Sequence, residues 1–157
     1  MSKNHTFYMF DLENPSNDVC MQSNKRIDES KIISELSTVL STVNENDTFS
    51  AAVRFYLKSK HLTTKDLYDR AYIDRRLIHK ILKSNRYHPA KKTVLALCIA
   101  FELSYGESLD LLGLASYSFA PNSKSDVIFQ YFITKGIYDI DLINDALYRF
   151  RCPCIGD

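Results

Sequence analysis

The sequence predicts an all-α protein, on three observations. Apolar residues recur at three- and four-residue spacing in one segment after another between residues 28 and 150. Ser, Thr, Asp or Asn stands where most of those segments begin, as helix N-caps require. No stretch alternates apolar and polar residues with the two-residue period of a strand.

The elements follow in order. Residues 1–26 mix Asn, Ser, Asp and Lys around one aromatic patch, Phe7-Tyr8-Met9-Phe10, without a sustained period. They read as a partly ordered arm whose aromatic patch docks on its own domain or extends a sheet edge in a partner, the first being preferred. Residues 27–47 carry an amphipathic helix and a linker. Asp28 offers the cap; Ile32, Ile33, Leu36, Val39, Leu40 and Val43 form one stripe; Asn44-Glu45-Asn46-Asp47 ends it.

Five short helices fill residues 48–115. Thr48 caps the first, with Phe49, Val53, Tyr56 and Leu57 on one face. Thr63 caps the second, at about 64–71, with Leu67 and Ala71 inward. Asp74 starts the third, with Leu77, Ile78 and Ile81 inward. Pro89 opens the fourth at its first turn, ahead of a stripe of Val94, Leu97, Cys98 and Phe101. Ser104 and Glu107 make a capping box for the fifth, whose apolar residues are Leu109, Leu111 and Leu112. Residues 116–157 add a helical hairpin. Asn122 or Ser123 caps a helix with Val127, Ile128, Tyr131 and Phe132, stopped by Gly136. Asp139 or Asp141 caps another, with Leu142, Ile143, Ala146, Leu147 and Phe150. Tyr131, Phe132 and Tyr138 read as core residues rather than ligand contacts.

Charge is distributed unevenly. Residues 63–92 hold nine Lys or Arg against Asp66, Asp69 and Asp74, a net +6, although the whole chain carries only +1. A basic block on an otherwise acidic chain suits a surface that meets phosphates, and also suits a solvated helical face.

At these residues the chain resembles the Cro/lambda-repressor (XRE-type) class of bacterial helix-turn-helix domains. The likeness covers about two-fifths of the chain, from Leu62-Thr63-Thr64-Lys65-Asp66-Leu67 to Phe101-Glu102-Leu103. Leu67, Ala71, Ile73, Ile78 and Ile81 fill the apolar slots of the class, and Pro89 to Leu103 is similar to its fourth helix. The resemblance implies a lambda-repressor-like helix-turn-helix bundle, here with an added N-terminal helix and a C-terminal helical hairpin. Two residues depart from the class. Tyr68 stands at the small position of the second helix and Tyr72 at the turn glycine. Bulk at both should splay the two helices or lengthen the turn, unless the pair compensates.

The resemblance also implies a DNA-reading helix at about 75–83. Arg75, Arg76 and His79 would lie nearest the base edges, where an arginine fork can bond guanine O6 and N7. Thr64, Lys80, Lys83 and Arg86 would meet phosphates.

Other classes are poorly supported. No run approaches the roughly 18 apolar residues a membrane span needs, and no secretory address is visible, so the expected location is cytoplasmic. There is no phosphate-cradling glycine loop and no HExxH, and Glu13, Glu29 and Asp139 make no recognisable pair. No enzyme activity and no cofactor are expected. Cys20, Cys98, Cys152 and Cys154 read as free thiols. The Cys-Pro-Cys tail offers two metal ligands, too few for a structural zinc site, and His5, His61, His79 and His88 show no ligand spacing with it.

Two functions remain. The first is a DNA-binding transcriptional regulator, a homodimer on duplex DNA. The second is a helix-turn-helix-fold adaptor that has lost specific DNA binding, meeting a protein partner through the N-terminal arm or the C-terminal helices.

Overall fold

The computed structural model describes residues 28–156, which are helical without a strand among them. In order they are α1 (Glu29–Leu40), α2 (Phe49–Ser59), α3 (Thr64–Ala71), α4 (Arg75–Lys83), α5 (Lys91–Ala100), α6 (Tyr105–Leu114), α7 (Lys124–Thr134) and α8 (Ile140–Arg149). The expectations for the 1–26 arm, its aromatic patch and Cys20 fall outside the described residues. The chain divides into two compact units between Thr42 and Val43, so the stretches 48–115 and 116–157 share one unit.

The N-caps are those the residue types announce. Asp28 accepts from the Lys31 amide, Thr48 from Ala51 and Ser123 from Asp126. Thr63 with Asp66 and Ser104 with Glu107 form reciprocal capping boxes, and Asp139, not Asp141, caps α8. One cap differs from expectation. Helix α5 starts at Lys91 behind Ala90, so Pro89 lies before the cap rather than in the first turn. Pro89 is buried there, and its carbonyl accepts from the Tyr117 hydroxyl at 3.2 Å.

Six helices end alike. After α2, α3, α5, α6, α7 and α8 one residue takes positive φ: His61, Tyr72, Glu102, Ser116, Gly136 and Arg151. The next amide then bonds the carbonyl five residues back, as in Leu103 to Cys98 and Ile137 to Phe132. That reversal lays an apolar residue over the last turn of the helix it ends, and burying it offsets the backbone cost. Only one of the six is glycine.

In the 43–157 unit, α5 is the centre: every residue from Thr93 to Ala100 is buried. Helices α3 and α6 pack on it, α2 packs on α4 and α6, and α7 packs on α6 and α8. Asp126, 3% exposed, ties the hairpin to this centre. Its carboxylate accepts from the Lys91 ammonium at the start of α5 and from the Ala120 amide at 2.7 Å. Burying a carboxylate without hydrogen-bond partners is costly, and these two donors supply them.

The inward faces of three helices differ from expectation. Helix α7 buries Phe129, Phe132 and Ile133, half-buries Ile128, and leaves Val127 and Tyr131 exposed. Helix α8 buries Ile140, Ile143 and Leu147, while Leu142 and Phe150 are exposed. Leu109 of α6 is exposed as well. Each helix carries apolar residues on more than one side, so periodicity admits two stripes and the neighbouring helix selects one.

The helix ends generate a stability prediction. Ser116 is exposed at φ +59, whereas a Cβ at Gly136, φ +67, would meet nothing within 4 Å. Ser116→Gly should therefore raise stability by roughly 0.5–1 kcal/mol and Gly136→Ala should lower it by about 1 kcal/mol, read from urea midpoints.

Candidate nucleic-acid interface

Helices α3 and α4 are joined by three residues, Tyr72, Ile73 and Asp74. Of the outcomes expected of bulk at Tyr68 and Tyr72, a longer turn is not the one adopted: three residues suffice. Tyr72 itself takes the left-handed conformation, φ 51 and ψ 42. Its ring stays partly in solvent, and its hydroxyl donates to Asp141 Oδ2 at 3.1 Å. That bond offsets part of the backbone strain and, through the carboxylate, raises the Tyr72 pKa. Tyr68 is half-buried and packs against the core.

The C-terminal segment braces the same turn. A Cβ on Gly156, φ +81, would fall 2.5 Å from Tyr72 Cβ and 2.9 Å from its carbonyl oxygen, so the close approach requires glycine. One residue earlier, the Asn144 amide grips the Ile155 backbone: Nδ2 donates to the carbonyl at 2.9 Å and Oδ1 accepts from the amide at 2.8 Å. Ile155 is 2% exposed. Sequence reasoning missed all three residues, because the contacts join positions far apart in the chain.

Helix α4 separates its residue types by face. Ile78 and Ile81 are buried and Leu77 is half-buried, while Arg75, Arg76, His79, Lys80 and Lys83 are all exposed. Asp74 caps the helix, accepting from the Arg76 amide at 2.6 Å. Arg75 Nε donates to His79 Nε2 at 3.3 Å, one turn on, which holds the two heads together. The Lys80 ammonium lies 4.6 Å from the centre of the Tyr87 ring, so part of its length is fixed by a cation–π contact. Arg86 is exposed just beyond the helix, and Thr64 is half-buried at the first position of α3.

A further residue holds α4 in place. Arg54, on α2, donates to the Leu82 carbonyl at 2.6 Å and to Asn85 Oδ1 at 3.0 Å. It thereby satisfies a terminal carbonyl of α4 that lacks a partner within the helix. No local pattern around Arg54 announces this.

The basic block is thus divided. Arg70 pairs with Glu102 at 3.4 Å on the surface, and Lys91 with the buried Asp126. Arg75, Arg76, Lys80, Lys83 and Arg86 have no carboxylate partner among the described residues. Five unneutralised cations gathered on and just after one short helix make a surface suited to anions.

Elsewhere the chemistry is sparse. A 230 Å³ cleft beside α3, α5 and α8 is lined by Asp69, Arg70, Tyr72, Glu102 and Tyr138 over an apolar floor of Ile99, Ala100 and Ile140. Among the described residues no three His, Cys, Asp or Glu side chains stand together as metal ligands. Cys98, Cys152 and Cys154 are free thiols. Burial pushes the Cys98 pKa up to about 12. Its neighbour is the buried Ser108 hydroxyl, which has no oxygen or nitrogen partner among the described residues.

Comparison of the chain with protein-family models, with curated proteins and with solved structures finds no match. Among the described residues no helix is long and apolar enough to cross a membrane.

The brace on the turn is testable. Asn144→Ala leaves both polar groups of the Ile155 backbone without their partners, and should cost about 1–3 kcal/mol in urea unfolding. Hydrogen exchange at the Ile155 amide should speed up accordingly, and an unchanged rate would contradict the brace.

Proposed function

We propose that the chain is a DNA-binding regulator of the Cro/repressor type, reading duplex DNA with α4. The observation that carries this reading is the outer face of α4: its five exposed residues are Arg75, Arg76, His79, Lys80 and Lys83, and none has a carboxylate partner among the described residues. Support comes also from the turn. Three residues with a left-handed first position join α3 to α4, which is the connection a helix-turn-helix uses. A nine-residue helix is about 13 Å long, enough to enter a major groove.

In this reading Arg75, Arg76 and His79 meet base edges. Arginine fits because its planar fork gives two parallel hydrogen bonds to guanine, and the Arg75–His79 contact pre-orders one fork along the helix. Lys80, Lys83 and Arg86 neutralise phosphates, and Thr64 approaches another at the start of α3. Dimeric binding would set two such helices about 34 Å apart along the duplex.

The test is binding of the full chain to a genomic fragment library across a salt series. With Lys80, Lys83 and Arg86 each neutralising a phosphate, log K should fall against log salt with a slope of roughly −3 per copy. Arg75→Ala and Arg76→Ala should each weaken binding to the selected site by about 5- to 100-fold, while Lys83→Ala weakens all sequences alike. Salt-independent or undetectable binding would refute the reading.

The exposed apolar residues of the C-terminal hairpin, Val127, Tyr131 and Leu142, favour a second reading as a protein-interaction adaptor. A single partner recovered after nuclease treatment, and retained by the Arg75→Ala/Arg76→Ala variant, would establish it.

A further inference from the structure

Helix α1 presents an amphipathic face that is not covered by any of the described residues. Ile32, Ile33, Leu36, Val39 and Leu40 lie on it, each between 42% and 64% exposed, and no residue of α1 is buried. The helix is also poorly built to stand alone. It has 12 residues, below the length at which isolated helices persist in water, and four of them are Ser or Thr. Ser37 and Thr38 donate back to the carbonyls of Ile33 and Ser34, a pattern that slightly destabilises a helix. A helix of this composition depends on packing for its existence.

We propose that this face pairs with the same face of a second copy, making α1 the dimerisation element of the chain. Three features select a copy as the occupant. Ile33, Leu36 and Leu40 are spaced three and four apart, the first-and-fourth pattern of a helix–helix seam, with Ile32 and Val39 widening it on one side. The positions on its other flank are Ser30 and Ser37, and the one charge in line with the seam, Glu29 in the first turn, is kept apart from its counterpart when the two helices pair antiparallel. The charges of the mid-helix, Lys31 and Glu35, face away and pair with each other at 3.9 Å. Area agrees: covering five half-exposed aliphatic side chains on each of two copies removes on the order of 1,000 Å² from water, the threshold of a specific interface. The face is self-complementary, so a two-fold axis closes the assembly at two copies.

The proposal does not depend on DNA binding and is tested without DNA. Light scattering of the full chain during size exclusion, over a hundredfold concentration range, should show a shift from 18.1 kDa to twice that mass. Leu36→Glu with Leu40→Glu should hold the chain at the monomer mass at every concentration and leave the urea midpoint of residues 43–157 unchanged. In the unaltered protein, hydrogen exchange of the α1 amides should slow as concentration rises. A monomer throughout, a dimer indifferent to the two substitutions, or protection of α1 that is independent of concentration would each overturn it, the last placing the stripe against its own chain.

Discussion

Eight consecutive residues of α5, Thr93 to Ala100, are removed from water, and that requirement organises the unit from residue 43 to residue 157. A helix apolar on all sides has no face to give to solvent, so its neighbours must surround it. Helices α3 and α6 pack on it directly. The hairpin of α7 and α8 is anchored at its start by the Lys91–Asp126 pair, and Tyr138, ahead of α8, donates to the Leu103 carbonyl at 2.8 Å. Burial raises the pKa of that tyrosine, keeping its hydroxyl a donor.

The left-handed helix ends are the second means of compaction. Each turns the chain sharply and immediately returns an apolar residue to the core, which lets α2, α3, α5 and α7 be joined to the helices that follow them by three to five residues. The sequence uses glycine for only one of them. At Tyr72 the non-glycine side chain gains a partner in return, the Asp141 carboxylate. The turn ahead of the basic helix is therefore held from outside, by α8 and by the segment through Gly156, rather than by its own residue type. A turn glycine would contribute conformational ease there but no anchor.

What was legible in the sequence was mostly local. A cap needs only an oxygen at the right place and an amide three residues on, so Thr63 with Asp66 and Ser104 with Glu107 could be read directly. The two faces of α4 were equally plain, because its charged and aliphatic residues never mix. The faces of α7 and α8 were not. Tyr131 and Leu142 have the apolar character of core residues, yet Phe129 and Ile140 point inward, because the facing helix chooses which stripe it covers. Arg54 on Leu82, Asn144 on Ile155 and Gly156 on Tyr72 had no local signal at all.

By itself the sequence determined the all-α class, the starts of the helices other than α5 and the residues that would form a cationic surface, since each depends on neighbours within about four positions in the chain. Tertiary structure decided the rest. It reserved Arg70 and Lys91 for ion pairs with Glu102 and Asp126 while leaving the cations of α4 without carboxylate partners among the described residues. It also made a tyrosine serve at a turn where bulk and φ both argue for glycine. The physical reason is the same for Arg70, Lys91 and Tyr72: a carboxylate more than thirty residues away in the chain becomes a neighbour only when the helices pack.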